Sequence, residues 1–397
     1  MITRRGLGTS AGAAWLLSLA PAARASAGDR PSRYLLGADV SWIPEDEAAG
    51  ATYYVDGVRT DPLLILRDFG FNAIKLRVFV APERGYSLGK LGGPWCGIEQ
   101  TIAFAKRIKA AGFHFSFTLH YSDNWADPQK QTKPADWAAL PFAKLVDAVH
   151  RHTTQTLAAL NAAGVAPDLV VIGNETTFGM LWPDGRVPLT IPTGNPATDS
   201  VHLNVQGAGG YDRFAALLKA GIAGARETTP GAKVALHNHL GRHWPIVQYW
   251  TDNLLQRGVR PDAIGFSCYQ QAAQGDWQRT FTEFAKRYPD MGLLALEYSS
   301  RKRYLNDLVH AQPHGWGSFI WEPTRHQEAI FTRGGASAGE GAKPDLLSQG
   351  ANVAEAPGSV TAAPAHPEDT GGRYDADPKF LALYRTMARD YHLTRRV

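Results

Sequence analysis

Short apolar runs alternate with amphipathic stretches along most of this chain. Residues 34–40, 73–79, 113–120, 168–173, 233–237, 263–267, 293–297 and 317–321 are mostly apolar and bounded by turn residues. Runs of that length, apolar on both alternating faces, are what a parallel sheet covered on both sides requires. The segments between them place apolar residues at helical spacing. One helix is predicted to start at Asp61-Pro62, with proline at its first position, and to stop at Gly70. Others are predicted over 98–111, 142–163, 214–227, 246–256, 277–288, 301–310 and 379–391. Eight strand–helix units of this size predict a (β/α)8 barrel, in one domain over residues 33–395. A doubly wound open sheet is the alternative. The glycine-rich phosphate turn that such sheets often carry is missing after the first strand.

Composition narrows the function. The 397 residues are 44% hydrophobic and 20% charged, with a net charge of +4. Lys and Arg are scattered, so no basic stripe for nucleic acid forms. The 11 Trp and 14 Tyr offer flat faces that suit sugar rings as well as a core. At the N-terminus, Thr3-Arg4-Arg5-Gly6-Leu7 precedes an apolar stretch over 11–22 and small residues up to Ala27. That order predicts a leader over 1–27, with adjacent arginines of the twin-arginine type. A disordered basic tail is the alternative. The apolar stretch is too short to anchor in a bilayer, so the mature chain is expected to be exported and free of the membrane. Cys96 and Cys268 lack metal-ligand spacing and are expected to be unpaired thiols. Residues 333–372, dense in Ala, Gly and Pro, predict a loop-rich insertion.

The chemistry of a barrel sits at the carboxyl ends of its strands. By this strand count those ends carry Asp39, Arg77, His120, Asn174, Glu175, His237, Tyr269, Glu297, Trp321 and Glu322. Glu175 follows the fourth strand and Glu297 ends the seventh. Two carboxyl groups facing one pocket are the minimum equipment for glycoside hydrolysis. Asn174 is placed to bond a sugar 2-hydroxyl, and Arg77 to keep a neighbouring carboxylate ionised. The alternatives are an exposed turn carboxylate at Glu175 and a buried ion pair of Glu297 with Arg77. Asp39 and Glu322 read as structural. His237-Asn238-His239 resembles a metal cluster, but strand alternation puts neighbours on opposite faces. No metal or cofactor is expected.

Several blocks are more specific. They are Gly37-Ala38-Asp39-Val40-Ser41, Lys75-Leu76-Arg77-Val78, the run from His120 through Trp125 and Asp127 to Pro128, Gly173-Asn174-Glu175, Gly179 through Trp182 to Gly185, and Trp321-Glu322-Pro323. With them, the chain from about Leu36 to Pro323 resembles the endo-β-1,4-galactanases of glycoside hydrolase family 53. The resemblance implies a retaining (β/α)8 barrel with Glu175 as acid/base and Glu297 as nucleophile. It implies that Arg77, His120, Asn174 and Trp321 line the cleavage subsite, with Trp125 and Asp127 near it, and that Trp182 and Tyr269 contact substrate. The chain departs from the family in three places. Cys268-Tyr269-Gln270-Gln271 stands where Tyr-Tyr-Pro is usual, Tyr298-Ser299-Ser300-Arg301 replaces an aromatic stretch, and Thr324-Arg325-His326 follows Glu322-Pro323. Aromatic platforms are thereby thinned after strands six to eight, which predicts a raised KM on long galactan. The C-terminal loop has no recognisable calcium-ligand pattern. The expected partner is a polysaccharide such as galactan or type I arabinogalactan, met by a monomer. Two alternatives are a barrel of the same clan that cuts another β-linked glycan and a non-catalytic carbohydrate-binding barrel.

Overall fold

The computed structural model describes residues 33–269, 277–324, 329–333 and 371–393. Eight parallel strands close into a barrel: β1 (Leu35–Asp39), β2 (Ala73–Val78), β3 (His114–Leu119), β4 (Leu169–Ile172), β5 (Lys233–Asn238), β6 (Ala263–Cys268), β7 (Gly292–Tyr298) and β8 (Gly315–Trp321). Each pairs with its neighbours in the chain, and β8 closes on β1 with Leu35 opposite Gly317 and Asp39 opposite Trp321. The helices that cover it are α1 (Pro62–Asp68), α2 (Ile98–Ala110), α3 (Phe142–Ala162), α4 (Gly210–Thr228), α5 (Trp244–Gln256), α6 (Gln278–Arg287), α7 (Lys302–His310) and α8 (Pro378–Asp390). The predicted fold class is the observed one. The expected leader, residues 270–276, and most of the insertion lie outside the described residues.

Period-two alternation sorts the strand side chains into two cores. Leu36, Ala38, Ile74, Leu76, Val170, Ile172, Val234, Leu236, Leu293 and Ala295 join the layer shared with the helices. Leu35, Ala73, Leu169, Val171, Ala235, Ala263, Leu294, Leu296 and Phe319 fill the barrel interior. On this parity Lys75, Arg77, His237 and Ser267 point inward, above the apolar plug. Glu297 does not fit it, because it shares parity with Leu293 and Ala295. A bulge resolves the conflict. The β6–β7 register runs from Phe266 opposite Ala295 to Ser267 opposite Glu297, which makes Leu296 an extra residue on β7. One extra residue reverses the facing of the strand beyond it, and Glu297 turns to the inside.

Local signals set the helix ends. Asp61 caps α1 by accepting from the Leu63 amide at 2.8 Å, with Pro62 at the first position. Asp377 caps α8 through Lys379 in the same way. A second, small sheet, which the sequence pattern does not predict, joins residues 331–333, 372–376, 51–55 and 58–59. Its strands are short and drawn from distant parts of the chain, so no local periodicity announces them. Tyr53, Phe331 and Tyr374 pack their rings together across it.

Candidate active site

At the carboxyl end of the barrel Glu175 and Glu297 meet, both buried. A carboxylate oxygen of each and a ring nitrogen of His237 all lie within 4.8 Å of one another. Glu175 follows β4 in a left-handed conformation (φ 46°, ψ 47°), just after Gly173 at φ 77°. A non-glycine residue there costs roughly 1–2 kcal/mol, and here the strained turn aims the carboxyl over the barrel mouth.

The surroundings of the two acids differ. Burial, and then the charge of Glu297, holds Glu175 well above the ordinary carboxyl range. Burial raises Glu297 too, but the Lys75 ammonium opposes it. Lys75 Nζ donates to Glu297 Oε1 at 3.2 Å and to the Leu296 carbonyl at 3.0 Å, and pairs with Asp39 Oδ2 at 3.3 Å. Burial works against the charge on Lys75, and Glu297 and Asp39 together outweigh it. Tyr269 Oη donates to Glu297 Oε2 at 3.2 Å. One carboxyl thus favours its proton, and the other is held by a cation and a phenol.

Arg77 does not reach Glu297. It pairs with Glu322 and lies 3.6 Å from Asp39, its guanidinium over the rings of Trp125 and Trp42 at 4.3 and 5.1 Å. The alternative of an Arg77–Glu297 pair is thereby corrected. Two buried cations two residues apart on one strand divide three carboxylates between them, and the nearer fit takes each. Asp39 and Glu322, read from the sequence as structural, serve here as ion-pair partners.

Ser267 Oγ is hydrogen-bonded to Glu175 Oε1 and, at 2.9 Å, to His237 Nε2. His237 Nδ1 meets Asn174 Oδ1 at 3.2 Å, and Asn174 Nδ2 donates to the Ala126 carbonyl at 2.9 Å. Both nitrogens of His237 are thus engaged in hydrogen bonds. His239 turns away to Thr177 Oγ1 at 2.7 Å, as alternation requires. Burial, followed by Arg77 and Lys75, depresses His120 well below its usual value, and its Nδ1 accepts from the Ala126 amide at 3.3 Å.

Around this centre Trp42, Phe79, Tyr86, Trp95, Tyr269 and Trp321 form one aromatic cluster, with Trp125 packed against it. Trp42 meets Trp321 at 5.2 Å and Trp125 at 6.0 Å between ring centroids. Its indole nitrogen donates to Tyr86 Oη at 2.7 Å, and Tyr86 in turn donates to Glu45. Trp182 stands apart, in a second cluster with Phe178, Leu189, Leu240 and Ile246, and lies against Arg186 and His202. The Asp127 carboxylate accepts the amides of Gln129 and Lys130 in its own loop.

Of the residues singled out in the sequence, Arg77, His120, Asn174, Glu175, Tyr269, Glu297, Trp321 and Trp125 gather at the barrel mouth; Trp182 and Asp127 belong to the loops beside it. Lys75 and Ser267 were missed as site residues. Both share inward parity with known neighbours, so alternation was the available signal. Trp42, Tyr86 and Trp95 come from loops and carry no periodic signal at all. Cys96 and Cys268 are free and buried, and burial pushes the Cys96 thiol up to about 12.

A relative from Niallia circulans, an uncharacterized protein encoded in the bgaB 5′ region, is 35% identical over 59% of this chain and 59% of its own length. A probable arabinogalactan endo-β-1,4-galactanase A from Aspergillus fumigatus is 30% identical over 74% of this chain and 85% of that protein. The solved family 53 catalytic domain of Ignisphaera aggregans superposes with a TM-score of 0.64 at 27% identity, covering 89% of this chain and 96% of that domain. The model of glycosyl hydrolase family 53 matches residues 35–302. With its eight-stranded barrel and paired carboxyl groups, the chain belongs to glycosyl hydrolase family 53.

Proposed function

We propose that this protein is a retaining endo-glycosidase that cleaves β-1,4-galactosidic bonds in galactan or type I arabinogalactan. The observation that carries the reading is the pair Glu175 and Glu297, with oxygens within 4.8 Å of each other; burial raises both, and the Lys75 ammonium opposes the rise at Glu297. Retaining enzymes hold their two carboxyl groups roughly 5–5.5 Å apart, and inverting ones leave room for a water between them. The Aspergillus fumigatus relative, by its name a probable arabinogalactan endo-β-1,4-galactanase, supports the choice of substrate.

In the first step a Glu297 oxygen attacks the anomeric carbon. The bond from that carbon to the glycosidic oxygen breaks, and the departing oxygen takes the proton of Glu175. In the second step water attacks the same carbon and gives a proton to Glu175. The ester bond breaks, and Glu297 returns as a carboxylate. Tyr269 and Lys75 align the nucleophile, and Trp321 and Trp125 offer ring faces to the sugar. Removal of residues 1–27, export, and action as a monomer belong to the same proposal; among the described residues no helix is long and apolar enough to cross a membrane.

The test combines product stereochemistry with two variants. NMR during hydrolysis of debranched galactan should show the β-anomer first. Glu297→Ala should lose turnover on every substrate, because no glycosyl-enzyme forms. Glu175→Ala should lose the polymer while keeping much of its first-step rate on an activated aryl glycoside, which needs little protonation. Equal losses on both substrates would remove Glu175 as the acid. A specific feature favours a second reading. The aromatic cluster draws on loops after β1, β2 and β3, on Tyr269 after β6 and on β8, whereas after β7 the chain runs on as Ser299 and Ser300. Cleavage of another β-glycan with no release from galactan would keep the mechanism and change the substrate.

A further inference from the structure

The chain of hydrogen bonds behind Glu175 has a direction that donor and acceptor chemistry fixes. Its far end is the Ala126 carbonyl, which can only accept. Asn174 Nδ2 donates to it at 2.9 Å, so Asn174 Oδ1 is the amide oxygen that faces His237. An amide oxygen only accepts, so His237 Nδ1 must carry a hydrogen. His237 is fully buried, and burial followed by the Lys75 charge depresses its pKa well below the ordinary value, so the ring is neutral. Its Nε2 is then an acceptor, and the neighbour at 2.9 Å is the Ser267 hydroxyl. Ser267 has one hydrogen. Towards an ionised Glu175 that hydrogen would be donated to Oε1 and would lower the carboxyl pKa; once it points to His237 instead, the contact takes its hydrogen from a protonated Glu175.

We propose that His237 is a positioning residue that, through Ser267, fixes the catalytic proton on Glu175. This rests on the reading of Glu175 as the acid, and it adds how the resting enzyme keeps that acid loaded. A hydroxyl held as an acceptor stabilises the protonated carboxyl and offers nothing to the carboxylate. When Glu175 releases its proton to the leaving oxygen, the carboxylate is left facing an oxygen lone pair. It becomes a stronger base for the water of the second step. The charged and titratable groups around this chain are Lys75 on β2, His120 after β3, Asp127 in the next loop, His239 after β5, Tyr269 after β6 and Glu297 on β7. None of them contributes a donor to Ser267 Oγ among the described hydrogen bonds.

The sign of a pH shift tests the proposal. In the kcat/KM profile the alkaline limb reports loss of the Glu175 proton. Ser267→Ala removes the acceptor of that proton, so the limb should move to lower pH by about 1 unit, the size expected for a lost hydrogen bond to one protonation state. His237→Phe frees Ser267 to donate to the carboxylate, and the limb should again move down; His237→Gln, which keeps an acceptor, should restore most of it. A Ser267 hydroxyl that instead donates to an ionised Glu175 predicts the opposite shift for Ser267→Ala and none for His237→Phe, and either result overturns the proposal. Infrared difference spectra of the wild type against Glu175→Gln supply a readout independent of turnover. A protonated carboxyl band at neutral pH, sensitive to Ser267→Ala, is expected even if the assignment of Glu175 as the catalytic acid fails; its absence sinks the proton-ordering chain alone. Should His237→Phe not fold, Ser267→Ala and the spectra carry the test.

Discussion

At the level of single residues, Lys75 links the sequence most directly to chemistry. Its ammonium bridges Asp39 and Glu297, and an opposite charge this close lowers a carboxyl pKa by roughly 1–3 units. Lys75→Met leaves Glu297 beside Asp39 with no cation between them. The acid limb of kcat/KM, which on the proposed mechanism reports ionisation of Glu297, should then move to higher pH, with kcat/KM at neutral pH down by a factor on the order of 10–100, the same shift expressed as a rate. Lys75→Arg keeps the charge and should keep the limb. A Lys75→Met enzyme with an unmoved acid limb would show that the bridge only packs the barrel. Lys75 was legible as an inward residue, being two positions before Arg77. Which carboxylate each cation would choose was not, since that depends on side chains brought in from β1, β7 and the turn after β8.

At the level of elements, closure of the barrel depends on close approach. Gly37 on β1 lies under the ring of Phe319 on β8, so an added methyl group would overlap that ring. Gly37→Ala should cost about 1–3 kcal/mol, the usual penalty of overpacking a core, and lower the urea midpoint without changing the m-value. Asp61→Ala removes the cap of α1 and an ion pair with Arg107, and should cost about 1 kcal/mol with kcat unchanged. A loss of activity matching the loss of stability in Asp61→Ala would tie α1 to the site in a way the structure gives no reason to expect. The strands and helices themselves were readable because each is written in a local period and ended by Gly, Pro or Asp. The bulge at Leu296 was not. It is a register change between two strands, and no feature of β7 alone requires it.

For the whole molecule, buried ionisable groups set the pH range of stability. Burial depresses His120, His237 and His239 well below 6.5, and His152, His202 and His243 to about 4. Below about pH 6.5 the unfolded chain binds protons that these folded histidines refuse, so stability should fall as pH drops towards 4. Glu175 acts in the other direction. Its folded pKa is raised above the ordinary 4.5, so its contribution is fully present below pH 4.5 and is lost as pH rises through the folded value. Melting temperatures from pH 4 to 9 should therefore pass through a maximum. Glu175→Gln, which cannot ionise, should match the wild type at pH 4.5 and exceed it at pH 8. A wild type that gains stability steadily up to pH 9 would contradict the raised Glu175.

The sequence by itself determined the barrel, its strand order, most helix limits and the two acids at its mouth. These follow from hydrophobic period, from capping and turn residues, and from polar residues placed where apolar strands end, all of which act within a few residues of one another. Tertiary structure decided the rest: the inward turn of Glu297, the pairing of Lys75 with Glu297 and of Arg77 with Glu322, the hydrogen-bond chain from Asn174 to Glu175, the aromatic cluster drawn from separate loops, and the small outer sheet. Each of these rests on groups far apart in the chain whose energies of contact exist only once the barrel has closed and water has left its mouth.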